Sequence, residues 1–419
     1  MTETIKNLES VFRPKVLKPG KTITRYDIEK NVTAAGENYG SVLLSVDVTI
    51  KDDTDGKPEI VRAVAKTVPK NDFIKNFFMS SLTFKKELGF YSTIVPTLRK
   101  FQLDHGVESL IDFTADFYGG RLSLNQEMLT ADENAVILME NLRAKDYQIF
   151  DRMTGFDFDA ACLVIKNLAL FHAVPLALKL RNPALFKEKI EPYLEFADVF
   201  SQSVSEDMKK ESIEDILSLA KENPECVPYL DALKKKCEKC YRLHSEAARR
   251  MEKEPFATVT HNDLWVNNSM MKLGENGKPI RNKIVSMIDY QFINYGSPGK
   301  DLIFFIFNSV KNEIIRTKYN EMIRLYHQTF TTALIQLGVN IRRFSWENFL
   351  EELNQAADNT FVICQCFVML RPIFAVKELA TDVENLRNDN ILQYKGASVE
   401  HKQKLYHLIE EFAKRNWLQ

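Results

Sequence analysis

The sequence predicts an α+β protein in two parts: a small N-terminal antiparallel sheet with a helix, and a large, mainly helical C-terminal part holding one β-hairpin. Runs of alternating apolar residues occupy the first third of the chain, and beyond Glu140 the apolar spacing turns helical. A strong turn, Gly274 to Pro279, separates two short apolar runs and interrupts the helical part once. These shifts set an N-terminal part at 1–139, a connector at 140–144 and a C-terminal part at 145–419.

In order along the chain, Val42, Leu44, Val46, Val48 and Ile50 alternate with polar residues, which marks a half-buried strand. The turn residues Asp52 to Gly56 lead to a second strand at 60–66, so a hairpin is the simplest connection. Phe77, Phe84, Leu88 and Tyr91 fall near one face of a helix over 71–95 that Pro96 is expected to end. Short strands are expected at 122–126 and 135–139. Asp157 is a plausible N-cap for a helix over 160–172, and charged amphipathic helices follow within 184–252. A third helical block runs from Asp301 to the end of the sequence. Strands at 269–273 and 283–288 form the hairpin of the helical part, and an antiparallel return there brings Asp289 back beside Asn268.

Composition excludes several classes. Basic and acidic side chains number 56 and 57, so the net charge of −1 leaves no polyanion-seeking excess and no nucleic-acid partner is expected. No obligate protein partner is evident either. The first 21 residues are charged and lack a signal-like apolar core, so a cytoplasmic protein is expected. The apolar window 361–376 contains Gln365, Arg371 and Pro372, which favours a buried helix over a membrane span. Six cysteines in 419 residues are too sparse for a disulfide scaffold, and the Cys237/Cys240 pair lies in a Lys/Glu-rich helix with no second pair nearby in sequence. Gly20-Lys21-Thr22 lacks the first glycine and the preceding strand of a P-loop.

Chemistry enters just before the hairpin. His261 to Asn268 fits the HxDxxxxN catalytic loop of phosphoryl-transfer enzymes with a protein-kinase-like bilobal fold. A hydroxyl attacking a γ-phosphate needs a carboxylate to orient it and take its proton, while Mg²⁺ absorbs the phosphate charge. The pattern makes Asp263 the base and Asn268 with Asp289 the metal ligands, hard oxygen donors suited to Mg²⁺. His261 is expected to brace the loop. Asp301 is either a helix cap or a buried acceptor that ties the loop down.

The N-terminal part supplies nucleotide-binding candidates. Gly36, Asn38 and Ser41 belong to a glycine-bearing loop whose amides suit phosphate oxygens, although it departs from GxGxxG. Lys66 closes an apolar strand and is expected to pair with Glu87 and reach the α/β-phosphates. Glu140 and Leu142 fall where a hinge backbone meets adenine. ATP and Mg²⁺ are the cofactors implied. Only 12 positions separate Asp289 from Asp301, too few for the activation and peptide-docking segment of a protein kinase. A small-molecule hydroxyl substrate is therefore expected, with Trp265, Phe292 and Tyr295 as candidate pocket lining.

The segments HNDLWVNN and MIDYQFINYGSPGKDLIFF, with GENYGS, AVAK, FKKELGFY and LMENL in the same order, resemble the ecdysteroid kinase-like (CHK kinase-like) family over about residues 30 to 370. Choline and aminoglycoside kinases share the broader pattern. The resemblance implies a protein-kinase-like fold and ATP-dependent phosphorylation of a hydroxyl on a small, often apolar molecule such as an ecdysteroid. It also implies Asp263 as base, Asn268 and Asp289 as metal ligands, Lys66 with Glu87 on the phosphate side, and Asp301 in support. A choline or ethanolamine-type kinase, and a nucleotide-responsive ligand-binding protein without catalysis, are the competing expectations.

Overall fold

The computed structural model describes residues 5–12, 17, 20–30, 40–52, 57–198, 204–246, 254–274, 286–374 and 397–419. The chain divides into two compact units, one including Met1–Val95 and Thr114–Gln148, the other Pro96–Phe113, Ile149–Ala375 and Tyr394–Gln419.

The first unit is built on an antiparallel sheet of β1 (Lys21–Lys30), β2 (Val42–Asp52), β3 (Glu59–Thr67), β4 (Phe117–Arg121) and β5 (Val136–Glu140), in the order β1-β2-β3-β5-β4. The alternation read in sequence becomes burial: Leu44, Val46, Val48 and Ile50 pack with Ala63, Ala65, Val136 and Leu138 and with Leu8, Val11 and Phe12. The fourth strand lies at Phe117–Arg121, ahead of the expected 122–126. A Cβ on Gly120 would come 2.6 Å from Leu88 Cδ1 and 2.9 Å from the Val136 carbonyl oxygen. Close packing therefore requires glycine in a strand whose Gly-Gly step reads as a breaker.

The expected helix over 71–95 is segmented. Asn71 caps α1 (Asp72–Phe77), and Met79, with φ 49°, separates it from α2 (Ser80–Gly89). A π turn over Phe90–Ile94 then leads into α3 (Val95–Asp104). Pro96 does not end the helix, because the wide turn before it, closed by Val95 N donating to Phe90 O, accommodates proline at the start of α3.

The second unit is mainly helical. Asp157 caps α4 (Phe158–Arg181), its Oδ1 accepting from Ala160 N at 2.9 Å. By length and apolarity α4 could cross a membrane, yet most of it is buried in this unit. Then come α5 (Pro183–Lys189), α6 (Glu206–Lys221) and α7 (Leu230–Glu246). Four short strands follow: β6 (Thr258–Thr260), β7 (Ser269–Lys272), β8 (Ser286–Met287) and β9 (Asn294–Gly296). The helices α8 (Pro298–Ser309), α9 (Asn312–Gln336), α10 (Trp346–Asn359), α11 (Val362–Val368), α12 (Leu370–Phe374) and α13 (Val399–Lys414) complete it. The expected buried helix near 361–376 corresponds to α11 and α12, whose residues are mostly buried. β7 pairs antiparallel with β8, and β6 with β9. Of the turn expected at 274–279 and the strand expected at 283–288, residues 275–285 lie outside the described residues, and 286–287 form β8.

Candidate active site

The loop that follows β6 is held by its backbone. Asp301, in the first turn of α8, accepts from His261 N at 2.5 Å through Oδ2 and from Asn262 N at 2.8 Å through Oδ1. Ser297 is the cap of α8, so Asp301 is a buried acceptor and not a cap. Its Oδ2 also meets His172 Nε2 of α4 at 3.0 Å, and His172 Nδ1 meets the Tyr326 hydroxyl of α9 at 2.7 Å. Burial works to raise the Asp301 carboxyl, but the bonds and charges of His172 and His261 outweigh it and hold it below the usual carboxylate range.

His261 braces the same loop. Its Nε2 faces the Ile288 carbonyl at 3.1 Å, and its Nδ1 accepts from Asp263 N at 3.4 Å. Those partners select the neutral Nε2–H tautomer, and burial pushes the ring's protonation below the ordinary imidazole range.

The loop and the strand pair bring Asp263, Asn268 and Asp289 together. Asn268 Nδ2 donates to Asp263 Oδ2 at 3.0 Å and to the Asp263 carbonyl at 2.7 Å. With Ser269 opposite Met287, Ile288 N donates to Asn268 O at 3.1 Å, which returns Asp289 beside the end of the loop. Asp289 has φ 66° and its Oδ2 accepts from Gln291 Nε2 at 3.4 Å. Because two acceptors fix Asn268 Nδ2, the opposite amide atom is the carbonyl oxygen Oδ1. Asn268 Oδ1 and the Asp289 carboxylate are hard-oxygen donors of the kind that could hold Mg²⁺, which keeps several water ligands. Among the described residues no cluster of three His, Cys, Asp or Glu side chains fits a metal that needs a full protein cage. Cys364 of α11 lies against Cys237 of α7, but burial raises both its thiol and that of Cys240, the latter to about 11, so these remain protonated packing groups.

In the first unit Lys66 Nζ lies 2.5 Å from Glu87 Oε2, with both side chains buried. Lys66 is in register with Leu43, and buried Ser41 immediately precedes that strand. Gly36 and Asn38 lie outside the described residues. Glu140 ends β5 and its carboxylate pairs with Lys145, while Leu142 is buried at the start of a 3₁₀ turn capped by Asn141.

The aromatic candidates separate. Trp265 is buried, Phe292 is half-buried, and the Tyr295 hydroxyl is engaged by Lys179 Nζ at 2.8 Å and Glu254 Oε1 at 2.6 Å. His172, Tyr326, Asn262 and Gln365 escape a reading of the motif. The traces they leave are faint: a histidine in a long apolar helix, a tyrosine in a long mixed one, an Asn inside the motif, and one amide in the apolar run Val362–Val368.

The model of the ecdysteroid kinase-like family matches residues 35–339. The chain belongs to this family. It is thereby a member of a small-molecule phosphotransferase family. No curated protein matches the chain. Among solved structures the chain is similar to an ethanolamine kinase of Plasmodium vivax, with a TM-score of 0.40 and 10% identity over 94% of this chain and 84% of that one. A spectinomycin phosphotransferase solved with ADP and spectinomycin gives 0.37 and 9% over 94% of each chain. A choline/ethanolamine kinase family protein from Mesorhizobium loti gives 0.34 and 8% over 91% and 92%. At these scores the family match, and not the structural likeness, carries the assignment.

Proposed function

We propose that this ecdysteroid kinase-like protein transfers the γ-phosphate of ATP to a hydroxyl of a small, apolar acceptor such as an ecdysteroid-like steroid or a xenobiotic alcohol or glucoside. The observation that carries the reading is the direct bond from Asn268 to the Asp263 carboxylate, with Asp289 returned beside Asn268 by the strand pair. Asp263 orients the acceptor hydroxyl and takes its proton on the carboxylate. Asn268 Oδ1 and the Asp289 carboxylate would hold Mg²⁺, which when bound neutralises charge on the phosphate oxygens. Asp301 and His261 fix the loop so that Asp263 meets the hydroxyl without rearranging. Lys66, held by Glu87, is assigned to the α/β-phosphates, the glycine-bearing loop ending at Ser41 to the phosphate tail, and the 140–142 backbone to adenine. Phe292 and Trp265 are assigned to the acceptor side. The steroid or alcohol class is supported by the family to which the chain belongs.

The test is a panel of steroids, alcohols, glucosides, choline and ethanolamine incubated with Mg–ATP and read by mass spectrometry for added phosphate. The expected result is a phosphorylated apolar hydroxyl compound, with turnover reduced by ~10³-fold or more in Asp263→Asn while Mg–ATP binding is retained. Undiminished transfer by that variant overturns the assignment of the base. A choline phosphate product replaces the acceptor class, and no product across the panel favours ligand binding without catalysis.

A further inference from the structure

Asn262, between His261 and Asp263, has φ 65°, a left-handed backbone that Asn tolerates better than most residues. It is tied from several directions. Its side-chain Nδ2 donates to Thr260 Oγ1 at 3.0 Å, to the Thr260 carbonyl at 3.3 Å and to the Phe292 carbonyl at 2.9 Å. Its backbone N–H is held by Asp301. Its carbonyl accepts from Gln365 Nε2 at 2.9 Å.

Gln365 stands on α11 between buried Cys364 and Cys366, in a helix otherwise apolar, and is itself half-buried. An amide in that run has one evident use, the bond it makes to the loop. It also lies beyond residue 339, where the family match ends. A second tie runs in parallel: Glu352 of α10, likewise beyond the match, accepts from Ser297 Oγ at 2.5 Å, and Ser297 caps the helix that carries Asp301.

We propose that Gln365 is a positioning residue for phosphoryl transfer, holding the Asn262 carbonyl so that the left-handed turn aims the Asp263 carboxylate. The helices past the family-matched segment thus complete the catalytic loop. A relaxed Asn262 would swing its carbonyl and redirect the next residue, and a misplacement of about 1 Å at a reacting group is costly to rate. This inference rests on the reading of Asp263 as the base.

The experiment uses the full-length protein with two readouts: hydrogen exchange of the peptide spanning 260–268, and phosphate release from Mg–ATP. Gln365→Met keeps the side-chain length and removes the donor, whereas Gln365→Lys returns an N–H donor. The expected result for Gln365→Met is faster exchange in that peptide and a kcat lower by about fivefold, with KM for Mg–ATP within about twofold. Gln365→Lys recovers both. Asn262→Gly, which accepts a positive φ, retains more kcat than Asn262→Ala. Unchanged exchange and kcat in Gln365→Met, or equal activity of the two Asn262 variants, overturns the proposal. Asp263→Asn is measured alongside: full phosphate release there sinks the base assignment, while the exchange data still report whether Gln365 holds the loop.

Discussion

Two buried polar regions of the helical unit, the support of the 261–268 loop and the C-terminal helix α13, meet the same desolvation cost in different ways. At the loop, Asp301 is 1% exposed and its carboxylate is answered by two backbone N–H groups and His172. On α13, Lys404 and His407 are also buried, but among the described residues Lys404 Nζ donates only to the Val310 carbonyl, at 2.7 Å, and neither ring nitrogen of His407 has a partner. Burial therefore pulls Lys404 down to about 7 and His407 down to about 3, the latter with help from Lys404. Burial alone does not set the charge state of a polar group; the partner set does.

Breaking the answered side has the largest expected effect. Asp301→Asn replaces one acceptor oxygen by an N–H₂ group facing backbone donors. It should lower phosphoryl transfer by ~10²-fold and destabilise the protein by about 3–5 kcal/mol, as loss of one member of a buried charge network does. Kinetics together with denaturant unfolding check both numbers. Retained turnover with intact stability would show that the loop does not depend on this carboxylate.

Changes on the unanswered side have the opposite sign. Lys404→Met should stabilise the protein by roughly 2–4 kcal/mol at neutral pH, the gain from avoided desolvation less the lost bond to Val310. The native lysine titrates near 7 and the unfolded one near 10.5, so between those values the unfolded chain binds more protons and wild-type stability rises with pH. The advantage of Lys404→Met is therefore fullest at and below pH 7 and fades toward pH 10.5. A difference that does not vary with pH across that window would show that Lys404 is charged in the folded protein.

The smallest change is expected from His407→Leu, about 1–2 kcal/mol of stabilisation at pH 7 from removing buried groups without partners. In the wild type the unfolded imidazole protonates below 6.5 and the folded one only near 3, so stability falls as pH drops through that interval. The variant should flatten this acid limb in unfolding curves recorded from pH 7 to pH 4. Lys404 and Arg316 disfavour the charged imidazole while Glu411 and Glu410 favour it, and an unchanged limb would show that the two carboxylates already stabilise its charged form.

Much of the proposed site is legible along the chain because its parts are close in sequence. His261, Asp263 and Asn268 share one loop, and a short antiparallel excursion with side-chain period two fixes where Asp289 returns. Lys66 is equally readable as the end of an apolar strand. The fourth strand is not, because what places Phe117–Arg121 is the fit of Gly120 under Leu88 and Val136, a property of neighbours and not of local propensity. Pro96 misleads for a related reason, since the π turn before it is a feature of backbone geometry that residue types do not announce.

The sequence by itself determined the two-part α+β plan, the motif proposed to be catalytic and family membership, since periodicity and close spacing are written in consecutive residues. Only the tertiary structure decided that Asp301 is a buried acceptor, that His172 and Tyr326 stand behind it, and that Gln365 reaches the loop from 103 residues away. Hydrogen bonds between distant segments depend on how helices pack, and no local pattern encodes which buried polar group will find a partner.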